Sequence, residues 1–267
     1  MIQLHIDEQV FRLPESMDEM TRAQLTFLSR LVETDAPVQE IKVKMLFFCI
    51  DARVMRMKAP GYFRVKTRNK LFALTAGQIA DASRAFDYLF TEPDEKGRCF
   101  LDIRLTVNPF PVVRLLGKRF TSPAQAMTDI TYDQYIYLQT YDVMKEQRPE
   151  AIFAMMGCLF RSDMKKFDPE DLNIKRMKML PERTVILMLW FWTGSCRFVA
   201  SKFPRIFNGS GSDGGTHNPY DSQQRLLDYV AKADPQKKQA YKRDLLYNVL
   251  YSLDYMLETS EKKENHD

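Results

Sequence analysis

Two stretches of this chain open alike. Phe11-x-x-Pro14-x-x-Met17-x-x-Met20-Thr21-x-x-Gln24-x-x-x-Leu28 returns as Phe120-x-x-Pro123-x-x-x-Met127-x-x-Ile130-Thr131-x-x-Gln134-x-x-x-Leu138, with one residue inserted between the Pro and the Met. The offset is 109 at Phe and 110 at Thr and Gln. A register held through a strand, a turn and a helix start marks a duplicated structural unit, because chance matches rarely keep their spacing across element boundaries. A chain of 267 residues has room for two medium domains. It therefore reads as two modules, 1–107 and 108–267, and not as one enzyme core.

Each module begins with alternation. Ile2, Leu4 and Ile6, then Val10 and Phe11 beyond a turn at Asp7-Glu8-Gln9, form one hairpin pattern; Val113, Leu115, Gly117-Lys118 and Phe120 form the other. The shared Thr then stands where a helix N-cap belongs, since its hydroxyl can accept from a free amide of the first turn. Gln three residues on occupies the capping-box position. Apolar residues at helical spacing follow, Leu25, Leu28 and Leu31 against Tyr135, Leu138 and Tyr141. Breaks at Asp35-Ala36-Pro37 and Gln147-Arg148-Pro149 lead to a second, more apolar helix, Ile41 to Ile50 or Ile152 to Phe160, expected to be the core of its module.

The copies then diverge. In the first, Tyr62 to Leu74 alternates like a hairpin or ribbon, and Leu74-Thr75-Ala76-Gly77-Gln78 caps a helix to about Phe90. In the second, a charged loop from Arg161 to Lys178 precedes a helix opened by Pro181 and running through Phe203. Val185 to Phe198 of that helix, with its apolar run Val185 to Trp192, and Ala151 to Phe160 are the expected main core. Cys99 to Thr106 and Pro111 to Phe120 read as adjacent strands. Asn208 to Gly215 reads as a glycine-rich surface loop. A last helical pair is expected over Ser222 to Ala231 and Pro235 to about Leu257, then a frayed tail from Glu258. The fold class is α+β, mainly helical: a duplicated module of β-hairpin followed by helices, with a C-terminal helical pair.

Few classes of chemistry survive inspection. No glycine-rich phosphate loop is present, and His5, His217 and His266 fall in a strand, a loop and the tail, too scattered to group into a metal site or a nucleophile-base pair. The carboxylates Asp168, Glu170 and Asp171 share their loop with Lys165, Lys166 and Lys175 and read as solvated charge. Cys49, Cys99, Cys158 and Cys196 make no CxxC pair; Cys49 and Cys158 occupy equivalent repeat positions and read as small buried side chains. No catalytic residue, cofactor or metal is expected. The apolar run Val185 to Trp192 is shorter than the roughly 20 residues of a bilayer span, and the acids Asp7 and Glu8 do not suit a leader peptide. A cytoplasmic protein without a membrane partner is expected.

One charge cluster stands out. Arg53, Arg56, Lys58, Arg64, Lys66, Arg68 and Lys70 lie in a segment with no acidic residue, and removing those seven charges takes the net charge from +4 to −3. On an extended ribbon Arg64, Lys66 and Arg68 share one face, with Phe63 and Val65 on the other. Such a face can follow a phosphate backbone or an acidic partner; the simpler reading is a ribbon kept soluble and guarded against edge pairing by its charges, since no base-stacking aromatic series accompanies the basic face.

The stretch Asn108-Pro109-Phe110-Pro111 through Ser122-Pro123-Ala124, then Ile130-Thr131-Tyr132-Asp133-Gln134-Tyr135 and Cys158-Leu159-Phe160-Arg161, resembles proteins of tailed phages and prophages of gut Bacteroidetes. Leu226-Leu227-x-x-Val230-Ala231-x-Ala233-Asp234 and Leu246-x-x-Val249-Leu250-x-x-Leu253 resemble the same group, which is similar in layout to phage tail-assembly chaperones. That resemblance implies a non-enzymatic morphogenesis protein of the host cytoplasm, a tail-assembly chaperone or related tail or connector factor, whose partner is the tape-measure or another virion protein. Tyr247, Leu250 and Tyr251 on the terminal helix are then candidate partner-binding residues, beside Arg64, Lys66 and Arg68. The alternative is a nucleic-acid-associated protein using 53–70, and a third possibility, an enzyme, has no nominated substrate.

Overall fold

The computed structural model describes residues 1–6, 9–34, 36–59, 61–68, 70–162, 167–207 and 219–264. The chain divides into two compact units, Met1–Leu105 and Thr106–Asp267, both mixing helices with small antiparallel sheets, so the molecule is α+β and mainly helical.

In the first unit, β1 (Ile2–Ile6) pairs antiparallel with β2 (Gln9–Leu13), and α1 (Arg22–Glu33) and α2 (Val38–Cys49) follow. Leu25, Leu28 and Leu31 of α1 and Ile41, Met45 and Leu46 of α2 are buried. Thr21 is the N-cap of α1: its hydroxyl accepts from the Gln24 amide at 3.3 Å, and Gln24 Oε1 accepts from the Thr21 amide at 2.7 Å. The same box recurs at Thr75 and Gln78 ahead of α3 (Ala76–Ser83), which tightens into a 3-10 turn over Arg84–Leu89. Replacing Thr21 by Ala removes one side of the reciprocal pair and should cost about 1 kcal/mol in urea unfolding. No loss would show the cap to be idle.

The second unit repeats the start. β6 (Val112–Leu115) and β7 (Lys118–Thr121) form the hairpin, and Thr131 caps α4 (Tyr132–Gln147), accepting from the Gln134 amide at 3.2 Å. Here the box is not closed. Gln134 is buried and donates through Nε2 to the Cys158 carbonyl at 2.6 Å, on α5 (Ala151–Leu159). The equivalent Gln24 donates to Cys49 Sγ at 3.2 Å, on α2. A glutamine at the third position of the first helix thus reaches the cysteine position of the second in both copies. The copies differ because the second has extra chain over its cap: the Tyr132 amide donates to Asp244 and the Leu246 amide to Ile130, with Thr131 and Leu245 bridged antiparallel between them.

That bridge also corrects the C-terminus. One helix was expected from Pro235 to about Leu257; there are two, α10 (Pro235–Arg243) and α11 (Leu246–Glu264), interrupted where Asp244 and Leu245 pair with the start of α4. Helix α11 continues past Glu258, where a frayed tail was expected. The other member of the helical pair is α9 (Pro219–Ala231), with Leu227, Val230 and Ala231 buried.

Further corrections come from short or irregular segments. No strand forms over Cys99–Thr106; Leu101 makes a single bridge to Phe90, flanked by Asp102 donating to Leu89 and Thr91 to Phe100. The charged loop after α5 begins with β8 (Arg161–Ser162), a third strand on β7, and carries the short α6 (Ile174–Met177). Helix α2 is not dry all round: Phe48 is exposed and stacks on Phe27, centroids 4.3 Å apart. Asn208 to Gly215, Lys165, Lys166, His217 and His266 lie outside the described residues, as do Asp7, Glu8 and Asp35 of the expected turns.

The core of the second unit is where expected. Met155, Met156, Cys158 and Leu159 of α5 and Leu187, Met188, Phe191 and Trp192 of α7 (Glu182–Lys202) are all buried, whereas Phe198, at the end of the expected core stretch, is exposed. Taken whole, α7 is long and apolar enough to cross a membrane by length and composition, which its central run alone did not suggest, yet more than half of its most apolar window is buried inside the protein. Pro204–Phe207 adds one short turn of helix, α8.

Candidate nucleic-acid interface

The basic segment folds into a three-stranded antiparallel sheet of the first unit, ordered β3 (Arg53–Ala59), β4 (Tyr62–Lys66), β5 (Leu71–Thr75). Asp51, at φ 49°, turns the chain out of α2, and Gly61, at φ 77°, makes the β3–β4 turn. Only the β4–β5 pair was legible as a hairpin. Strand β3 was missed because its register shifts between Val54 and Arg56 and again between Met57 and Ala59, so the bulges break the period of two by which a strand announces itself.

Alternation sorts β4 as its sequence demands. Val65 is buried, together with Phe72 and Leu74 of β5, while Arg64 and Lys66, and Arg68 just beyond the strand, are exposed. Phe72 lies edge-on to Phe11, centroids 6.4 Å apart, and ties the inner face to the first hairpin.

The outer face is set by the pairing register. Arg53 stands opposite Lys66, which stands opposite Leu71; Arg56 opposite Arg64, opposite Ala73; Ala59 opposite Tyr62, opposite Thr75. The exposed Lys66 therefore has the exposed Arg53 across from it, and the backbone position across from Arg64 is also an arginine in the sequence. Like charges directly opposite each other are destabilising in a sheet, and among the described residues Arg53, Arg64 and Lys66 form no ion pair, although Asp51 lines a neighbouring cleft with Arg53 and Lys66. Arg68 differs, lying 3.6 Å from Asp51 with both side chains largely in solvent, a pair of little energetic weight. Arg64, Lys66 and Arg68 line a cleft of about 540 Å³ with Met55, Thr67, Lys70 and Leu71.

The residues nominated on α11 fare differently. Leu250 is 1% exposed, and Leu246, Val249 and Leu253 are equally buried, so the expected apolar groove wall is taken up by the core of its own unit. Tyr247 donates its hydroxyl to the Ala126 carbonyl at 3.0 Å and lies under Lys202, whose ammonium is 5.1 Å from its ring. Tyr251, 53% exposed, is the one of the three that faces outward, edge-on to Phe203 at 5.0 Å and also beneath Lys202.

The two repeat cysteines are not activated thiols. Burial pushes the Cys49 thiol up to about 11, against a smaller opposing effect of its bond from Gln24, and pushes Cys158 well above the ordinary thiol range. Both are protonated near neutrality and poor nucleophiles. Among the described residues no three His, Cys, Asp or Glu side chains are grouped to hold a metal ion. No protein-family model, curated protein or solved structure matches the chain.

Proposed function

We propose that this protein is a nucleic-acid-binding protein, not an enzyme, and that the outer face of the β3–β4–β5 sheet is its binding surface. The observation that carries the proposal is the cross-strand register, which sets Arg53 against Lys66 and backbone position 56, another arginine, against Arg64, in a segment whose seven cations account for the net positive charge of the chain. Such an arrangement costs stability in the free protein and is relieved by a polyanion laid across it, whose condensed counterions are released on binding. Solubility or edge protection needs charges, but it does not need them on adjacent strands of one face. A cytoplasmic setting, where the four cysteines remain thiols, is part of the same proposal. The tail-assembly reading rests on resemblance alone, since the stripe of α11 that would have served a helical partner is occupied.

Fluorescence anisotropy with a labelled 20-nucleotide DNA, single-stranded and duplex, over a salt series tests the proposal. Binding should weaken linearly in log–log form with salt, and the double substitution Arg64→Ala, Lys66→Ala should lower the slope by about 2. Wild-type affinity and slope in that variant would remove this face from consideration.

A further inference from the structure

We infer that the ligand of this face is a single strand, with Tyr62 as the platform for a base. The inference rests on the nucleic-acid reading above and adds to it the apolar side chains that share the face. Tyr62 is 52% exposed, Met55 58% and Leu71 49%. Each lies beside a cation: Tyr62 two residues before Arg64 on β4, Leu71 directly opposite Lys66, and Met55 in the bulge of β3, lining the same cleft as Arg64 and Lys66. Phosphate binding alone has no use for them. Exposed apolar side chains interleaved with cations are what a flexible strand requires, since it offers a charged backbone and the unpaired π-faces of its bases together.

The geometry agrees. Alternate residues of a strand are about 6.6 Å apart, so Tyr62, Arg64 and Lys66 present a ring and two cations along one line at a spacing close to one extended nucleotide each. A duplex could use the cations only. Its base edges are reached by a helix or a two-stranded ribbon entering the major groove, and Tyr62, Arg64 and Lys66 belong to the central strand of a three-stranded sheet, whose flat face cannot enter. The face also has few neutral hydrogen-bonding side chains, Thr75 and the Tyr62 hydroxyl, so it recognises backbone and stacking and not sequence.

The test compares labelled dT15 with a 15-base-pair duplex at one salt concentration, for the wild type, Tyr62→Ala and Tyr62→Phe. The wild type should prefer dT15 at least tenfold, Tyr62→Ala should lose about tenfold on dT15 alone with an unchanged salt slope, and Tyr62→Phe should keep the wild-type affinity. Equal or tighter binding of duplex, indifference to Tyr62→Ala, or displacement of dT15 by poly-glutamate of equal charge would each overturn the single-strand inference while leaving a polyanion-binding face. Absence of binding to both probes would overturn the nucleic-acid reading itself.

Discussion

Gly157→Ala should destabilise the protein by about 3 kcal/mol or prevent the second unit from folding. Helix propensity alone gives the opposite sign, since Ala in a helix interior is worth roughly 0.8–1 kcal/mol over Gly. The clash decides it: a Cβ built on Gly157 would lie 2.1 Å from the Leu172 carbonyl oxygen and 2.9 Å from the Leu172 Cβ. The obstruction is backbone and no rotamer change relieves it, so α5 and the chain before α6 would have to separate. The duplication makes the case sharper. Gly157 precedes Cys158 as Phe48 precedes Cys49, and in the first copy that position holds an exposed ring stacked on Phe27. The second copy covers the site with Leu172, and a glycine is the consequence. Urea unfolding followed by far-UV circular dichroism reads the effect. A midpoint at or above wild type would show that Leu172 does not pack there.

Trp192→Ala should cost roughly 3 to 5 kcal/mol. Trp192 is 2% exposed on α7 and its ring lies 5.7 Å from that of Tyr135 on α4, itself fully buried. Truncation removes the transfer free energy of the indole and leaves a cavity beside α4, whose start is held in place by the Ile130–Leu246 and Tyr132–Asp244 backbone bonds. Thermal unfolding measures the loss. Near-wild-type stability would mean that α7 is a surface helix, in conflict with the burial of Phe191, Trp192 and Val199.

Much of this was legible because the physics is local. Thr21, Thr75 and Thr131 announce helix starts through a contact spanning three residues, and the hairpins and the outward set Arg64, Lys66 and Arg68 follow from a period of two. What was hidden depends on distant chain or on broken period. The helix break at Asp244 exists because Ile130 and Tyr132, more than a hundred residues earlier, take up the backbone at Asp244 and Leu246. Gln134 carries a capping-box spacing yet turns inward to Cys158, for which its neighbours in sequence give no sign. Strand β8, with two residues, is too short to show alternation, and β3 lost its alternation to bulges. The candidate surface was half visible for the same reason. The cations on β4 could be grouped by alternation, but their pairing with Arg53 and Arg56 and the company of Met55 and Leu71 are facts of register.

The central claim is that nucleic acid lies on the outer face of the β3–β4–β5 sheet, and photochemical cross-linking locates it most directly. Irradiating the protein with 4-thiouridine-substituted U15 and mapping adducts by mass spectrometry should place them on the peptides containing Tyr62 and Met55, with the yield falling as salt rises. Adducts confined to other peptides, Tyr251 and the α11 surface among them, with Tyr62 and Met55 unmodified, would contradict the account.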